Sequence, residues 1–140
     1  MQALQLVAEK DPKNVESRVQ LGNMFFDAEQ YSQSIGWYEQ AIALNPADPN
    51  VSTDLGVAYY YTNQPDRALG QFEKSLAADP RHIKTLLNVG IVRAFGKNDL
   101  PGAAKAWEQV VAISPDSPEG QAAKKGLEGV KNSGTGAVGK

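Results

Sequence analysis

The chain has 140 residues, 41% hydrophobic and 21% charged, the balance of one ordinary domain that can bury a core without membrane or disulfide support. It has no cysteine, which excludes disulfides, thiol catalysis and zinc–thiolate sites together without distinguishing one compartment from another. The net charge of −2 is split, with 5 Lys/Arg against 11 Asp/Glu in residues 1–80 and 9 against 5 in residues 81–140; this excludes a strong polyanion binder and predicts an elongated molecule with differently charged ends.

The first element is a short helix. Leu4, Val7 and Ala8 share one helical face ahead of Pro12. From Val15 onward a unit of 34 residues repeats. Gly22, Gly56 and Gly90 mark it, as do Pro12, Pro46 and Pro80, while Pro115 follows after 35, so the third copy has one extra turn residue. Within each unit a leading helix carries apolar residues such as Leu55, Ala58, Tyr59 and Thr62 at helical spacing. A trailing helix follows with Ser34, Tyr38 and Ala41, then Ala68, Phe72 and Ser75, then Ala103, Trp107 and Val110. Polar breaks at Ala28–Gln30, Thr62–Gln64 and Gly96–Asp99 join the two helices, and Pro65 fits the start of a trailing helix. Asp48 and Ser117 are expected as N-caps with Pro49 and Pro118 in the first helical turn. A helix-interior glycine costs about 1 kcal/mol relative to alanine, so the repeated ones are expected to let two helix backbones approach closely.

The ends differ from the middle. Residues 1–14 are the trailing half of a preceding unit, so the chain is expected to begin half a unit into an array that extends upstream. Units follow over 15–48, 49–82 and 83–117. A capping helix over 118–131 places Ala122, Leu127 and Val130 on one side and Lys124, Lys125 and Glu128 elsewhere, and a disordered tail is expected over 132–140.

Catalytic chemistry finds little footing. The single histidine, His82, lies in an inter-unit loop with no nucleophile–acid set around it, and no His/Cys cluster or GxxxxGK loop is present. No cofactor, no metal site, no nucleic-acid contact and no membrane insertion of this segment are expected. A signal-peptide pattern is absent from the N-terminus, so localisation is not assigned beyond a soluble domain, cytoplasmic or periplasmic, which an upstream segment could tether to a membrane.

Leu55, Gly56, Tyr59, Ala68, Phe72 and Pro80 reproduce the pattern L-G-x2-Y…A-x3-F…P, with Leu21, Gly22, Phe25, Ala41 and Pro46 in the first unit and Gly90, Ala103, Trp107 and Pro115 in the third. On these residues the chain resembles the tetratricopeptide repeat (TPR) family. It departs at Ser34, at Arg93 where an aromatic is usual, and at Arg18, Ser52 and Leu86 where the family has tryptophan. The resemblance implies an all-α fold, an α-solenoid of antiparallel helix pairs in a right-handed superhelix. Its leading helices line a concave groove that binds a protein or peptide client.

Helical spacing from the packing positions then predicts the peptide-groove residues. They are Val19, Asn23 and Phe26, with Glu16 and Asp27 beside them; Asn50, Asp54, Val57, Tyr60 and Tyr61, with Thr53; and Lys84, Leu87, Asn88, Ile91 and Phe95. Family members that grip a C-terminal carboxylate do so with Lys, Arg and Asn side chains. Of those positions this chain keeps only Asn23 and Lys84, with Val19, Asp54 and Asn88 at the others. An amphipathic helix or apolar peptide is the expected ligand. Arg93 is expected either to reach the rim and pair with a carboxylate or to anchor an acidic ligand group. The alternative function is a self-associating scaffold, a homodimer or filament built through Leu4 and Val7 of the unpaired first helix or through the capping helix. The compact three-repeat form is also similar to repeat domains of bacterial cytochrome c maturation and nitrite reductase assembly factors.

Overall fold

Short polar residues and prolines decide where the helices begin. A computed structural model describes the backbone of residues 2–138 and the side chains of residues 2–133, and among these every regular element is helical. The chain divides into two compact units, Met1–Pro80 and Arg81–Lys140.

The first unit holds α1 (Gln2–Lys10), α2 (Val15–Asp27), α3 (Tyr31–Leu44), α4 (Pro49–Tyr61) and α5 (Pro65–Ala78). Asn14 caps α2 by accepting from the Ser17 amide at 2.8 Å, and Asp48 caps α4 by accepting from the Asn50 amide at 2.9 Å, with Pro49 in the first turn. The second unit holds α6 (Ile83–Ile91), a π turn (Val92–Gly96), α7 (Leu100–Ile113) and α8 (Pro118–Val138). Here Asp99 caps α7 through the Gly102 amide at 2.9 Å, and the Ser117 hydroxyl accepts from the Gly120 amide at 3.0 Å. Each helix pair is closed by a residue in the left-handed region: Glu29 at φ 59°, Asn63 at 63° and Asn98 at 54°. Asparagine tolerates that geometry, and glutamate adopts it at a steric cost.

Within each pair, the repeated glycine faces a ring. A Cβ on Gly22 would lie 2.5 Å from Cε1 of Tyr38, one on Gly56 2.5 Å from Cε1 of Phe72, and one on Gly90 2.5 Å from Cδ1 of Trp107. The glycines therefore seat an aromatic side chain of the trailing helix, and at Gly56 the expected close backbone approach is present as well, the Ala68 carbonyl oxygen lying 3.2 Å from the added Cβ. All three rings are essentially buried. The two with a polar tip satisfy it: the Tyr38 hydroxyl donates to Asn23 Oδ1 at 2.6 Å, and Trp107 Nε1 donates to the Leu87 carbonyl at 3.1 Å.

The three positions that depart from the family's tryptophan are filled in three ways. Leu86 is a plain buried apolar residue. Ser52 is buried with Gln71, whose Nε2 donates to the serine hydroxyl at 2.6 Å. Arg18 is 9% exposed and holds α1 in place. Its Nη2 donates to the Ala8 carbonyl, its Nη1 to those of Asp11 and Asn14, and its Nε to Gln40 Oε1, each at 3.1 Å. The guanidinium thus takes up the Ala8 carbonyl in the last turn of α1 and bridges it to the loop carbonyls of Asp11 and Asn14.

The extra residue of the third repeat, 83–117, falls inside the π turn. Gln30 N donates to Phe25 O and Gln64 N to Tyr59 O, five residues back, whereas the matching bond in the third repeat, Asp99 N to Arg93 O at 2.7 Å, spans six. A π turn accommodates one added residue without breaking the helix.

The cap also differs in detail. Its buried line is Gly120 and Ala123, with Leu127 and Val130 half-buried, and Ala122, expected on that side, is exposed. The spacing i, i+3, i+7 and i+10 puts Ala122 off the stripe. Helix α8 also continues through Val138, where a disordered tail from residue 132 was expected. No proline after Pro118 and no positive-φ glycine among the described residues interrupts its ladder; residues 139 and 140 lie outside the described residues. No helix among the described residues is long and apolar enough to cross a membrane.

Candidate functional site

In the first unit, the leading helices α2 and α4 bring several expected groove residues into one cluster. Phe26 meets Tyr31 edge-on at 5.3 Å between centroids and lies 6.3 Å from Tyr38. Tyr31 stacks on Tyr61 at 4.6 Å, and Tyr61 contacts Tyr60 at 5.6 Å. This run of rings joins the first pair of helices to the second, and it supplies both packing and partly open apolar surface. Tyr61 stays 56% exposed, and Val19, Phe26, Val57 and Tyr60 are half-buried. Tyr31, which starts α3, was not among the expected residues, because a trailing helix was assigned wholly to packing.

The polar members surround these rings. Asn23 and Asn50 are exposed, Asp54 is half-buried, and Asn23 is fixed by the Tyr38 hydroxyl. Burial pushes the Tyr38 phenol above its ordinary value, and the carboxylates of Asp54 and then Asp27 add to the effect. Both acids therefore lie within electrostatic reach of the Tyr38 hydroxyl. Thr53, expected beside them, is fully buried and donates to the Pro49 carbonyl at 2.6 Å, so it belongs to the interior. A hydroxyl within reach of the carbonyl four residues back turns to its own helix.

A second polar network lies on Tyr59, which is buried as the spacing requires. Its hydroxyl donates to Glu39 Oε2 at 2.7 Å, and Arg67 pairs with the same oxygen at 3.3 Å while its guanidinium lies 4.3 Å over the ring. Burial first, then the hydrogen bond to and charge of Glu39, push this phenol up to about 12 against the lowering effect of Arg67. Tyr38 and Tyr59 both hold their protons more tightly folded than unfolded. Their contribution is complete below about pH 10 and falls as pH rises from there through the folded value. We expect the urea midpoint to drop between pH 9 and pH 11 and to drop less in the Tyr38→Phe/Tyr59→Phe variant; an equal drop in that variant would assign the loss to other groups.

In the second unit, Lys84, Leu87, Asn88 and Ile91 are half-buried along α6, and Asn88 Nδ2 donates to the Lys84 carbonyl at 2.8 Å. Phe95 is set apart from them. It rides on the π turn, is 76% exposed, and borders a cleft of about 260 Å³ whose lining includes Leu100, Trp107, Gly126 and Val130 but none of Leu87, Asn88 or Ile91. Arg93 reaches a carboxylate, with Nη1 3.3 Å from Asp99 Oδ2, the residue that also caps α7. His82 Nδ1 lies 2.7 Å from the Thr85 hydroxyl at the start of α6. Among the described residues no three His, Cys, Asp or Glu side chains gather as a metal site.

Comparison with known proteins agrees with this architecture. A family model described as TPR repeat matches residues 22–63, and one described as Tetratricopeptide repeat matches residues 53–118. A search of curated proteins finds no match. Among solved structures, the chain is similar to the Sgt2 TPR domain from Aspergillus fumigatus, with 27% identity, 90% of this chain and 82% of that chain covered, and a TM-score of 0.80. It is similar to the first TPR of Spaghetti (RPAP3) bound to HSP90 peptide SRMEEVD, with 22% identity, 88% and 94% coverage and a TM-score of 0.78. It is similar as well to the Yersinia enterocolitica type III secretion chaperone SycD in complex with a peptide of the translocator YopD, with 16% identity, 84% and 92% coverage and a TM-score of 0.77. None of these is a cytochrome c maturation or nitrite reductase assembly factor.

Proposed function

The chain belongs to the tetratricopeptide repeat family, and from that premise we propose that it is a non-catalytic interaction module, an adaptor or assembly factor, whose α2–α4 face binds an amphipathic, basic client helix. The observation that carries this reading is the composition of that face. Part-open Val19, Phe26, Val57, Tyr60 and Tyr61 supply apolar area, while Asp27 and Asp54 set its charge. The neighbour bound to SRMEEVD takes an acidic peptide. In this chain Asp54 would repel a carboxylate, so the ligand preference reverses.

The test is a titration of the whole chain with a synthetic leucine/lysine amphipathic peptide of about 14 residues and with SRMEEVD. The basic peptide is expected to bind at roughly micromolar Kd, about −8 kcal/mol, and at least about tenfold more tightly than the acidic one. Tyr60→Ala and Asp54→Asn should each weaken it several-fold. Tighter binding of SRMEEVD, or indifference to both substitutions, would overturn the reading.

Self-association is the second reading, favoured by Leu6 and Val7 of α1, which are 53% and 43% exposed. Light scattering tests it: association that grows with concentration and is lost in Leu4→Asp supports it, and a strict monomer at tens of micromolar removes it.

A further inference from the structure

The cap and proline that open α4, Asp48 and Pro49, recur as Ser117 and Pro118 at the start of α8, so the two helices match position by position. Where α4 carries Val57, Tyr60 and Tyr61, α8 carries Gly126, Gly129 and Val130, and where α3 opens on Tyr31, α7 opens on Leu100. In the first unit Tyr31 stacks on Tyr61 and Tyr61 contacts Tyr60, so rings fill the place where α3 meets α4. In the second unit the equivalent place between α7 and α8 is a cleft of about 260 Å³ bordered by Leu100, Gly126, Gly129 and Val130.

The two glycines have different reasons to be there. A Cβ on Gly126 would lie 2.7 Å from Cε3 of Trp107, so this residue lets α8 close over the indole. A Cβ on Gly129 would meet nothing within 4 Å among the described residues. Glycine inside a helix is unfavourable relative to alanine, and at Gly129 no packing offsets that cost. Trp107 has its indole nitrogen satisfied by the Leu87 carbonyl and gives the cleft an apolar wall. Phe95 stands at the rim on the π turn, a distortion that recurs at functional sites.

We propose that this cleft seats one aromatic side chain of an acidic client peptide. The ring follows from the register, because tyrosines occupy the equivalent place between α3 and α4. It follows also from size: an apolar cavity of about 150 Å³ holds benzene, whereas drug-sized ligands use about 300 Å³ or more. A peptide is favoured over a free aromatic molecule by Phe95, 76% exposed, which a chain crossing the rim would cover and a lone ring inside the cleft would not. Acidic neighbours follow from Lys125, the one charged residue of the lining among the described residues, which meets no carboxylate among them. Lys124 and Lys131 lie on the same helix, and residues 81–140 hold 9 Lys/Arg against 5 Asp/Glu. The cleft lies wholly in the second unit and favours the opposite charge from the α2–α4 face, so either proposal can fail without the other.

The experiment titrates the isotope-labelled full chain with the acetylated, amidated peptide DEFDE and follows amide shifts by NMR. A Kd of roughly a hundred micromolar is expected, with the largest shifts at Phe95, Leu100, Gly126 and Gly129. The peptide DEADE should bind at least about tenfold more weakly, and KKFKK several-fold more weakly. Gly129→Leu places a side chain in the cleft; it should raise Tm and weaken DEFDE at least about tenfold. Phe95→Ala and Lys125→Gln, both at exposed positions, should each weaken DEFDE several-fold with Tm unchanged. Equal binding of DEFDE and DEADE, KKFKK binding as tightly as DEFDE, or shifts gathered outside these residues would overturn the proposal. So would unchanged binding in Gly129→Leu, or a Tm lowered by it, which would show that the place is not open. Phenylacetate binding more tightly than DEFDE would also overturn it and make the occupant a small aromatic acid.

Discussion

Replacing Gly56 by valine is expected to destabilise the chain by about 3 kcal/mol, while alanine at Gly36 or Gly70 is expected to stabilise it by roughly 0.5–1 kcal/mol each. All three glycines are helical, so propensity alone predicts a gain at every one. What separates them is the space in front of the missing Cβ. At Gly36 and Gly70 nothing lies within 4 Å, whereas at Gly56 the new atom falls 2.5 Å from a Phe72 ring that is 0% exposed and has nowhere to move. Chemical denaturation of the three variants measures this directly. A Phe72→Leu partner substitution should recover part of the Gly56→Val loss, giving a coupling energy of about 1 kcal/mol or more in a double-mutant cycle. Additive effects would show that the ring is not what the glycine accommodates.

The second large effect is expected at Arg18. Arg18→Leu removes four hydrogen bonds from a nearly buried guanidinium and leaves the Ala8 carbonyl to find another partner, while the Asp11 carbonyl keeps the Asn14 amide and the Asn14 carbonyl keeps the Ser17 hydroxyl. Charged hydrogen bonds contribute about 1.5–3 kcal/mol. The short helix can escape part of that loss by undocking into water. The loss should therefore be local, with amide exchange in residues 6–10 about a hundredfold faster, corresponding to about 2.7 kcal/mol, while exchange in α4 and α5 stays unchanged. Arg18→Lys keeps the charge but not the planar fork and should rescue less than half. Uniform loss of protection across residues 1–80 would mean that Arg18 supports the whole unit and not its first helix.

The helix pairs were legible because glycine, proline and apolar side chains recur at one spacing, and the caps at Asp48 and Ser117 because short polar residues before proline have little else to do there. Other features were not, for physical reasons. Arg18 read as a missing tryptophan, since one sequence shows a substitution but not the backbone carbonyls that receive it. The extra residue of the third copy reads from the sequence only as a turn residue, since a 35-residue spacing does not say where in the copy it falls; hydrogen bonding places it at Val92–Gly96. The groove face was read by rotation about a helix axis, which puts Val57 and Tyr60 on the half-open side but misses Thr53 turning inward and Tyr31 arriving from another helix. Phe95 shows the same limit: its rotation matches Ile91, yet the residues beside it belong to α7 and α8.

The π turn bears on what counts as one unit in this molecule. From ring-seating glycine to ring the chain runs 16 residues in the first two pairs and 17 in the third, yet Trp107 reaches Gly90 as Tyr38 reaches Gly22. What is held constant from copy to copy is a meeting of two side-chain positions, and the number of peptide bonds between them is free to drift where a helix can widen by one residue. Such a chain can gain or lose single residues at the ends of its leading helices while the interior keeps its fit. The widened turn also bears Phe95, which is 76% exposed, so the added residue lies beside surface and not beside the ring contact.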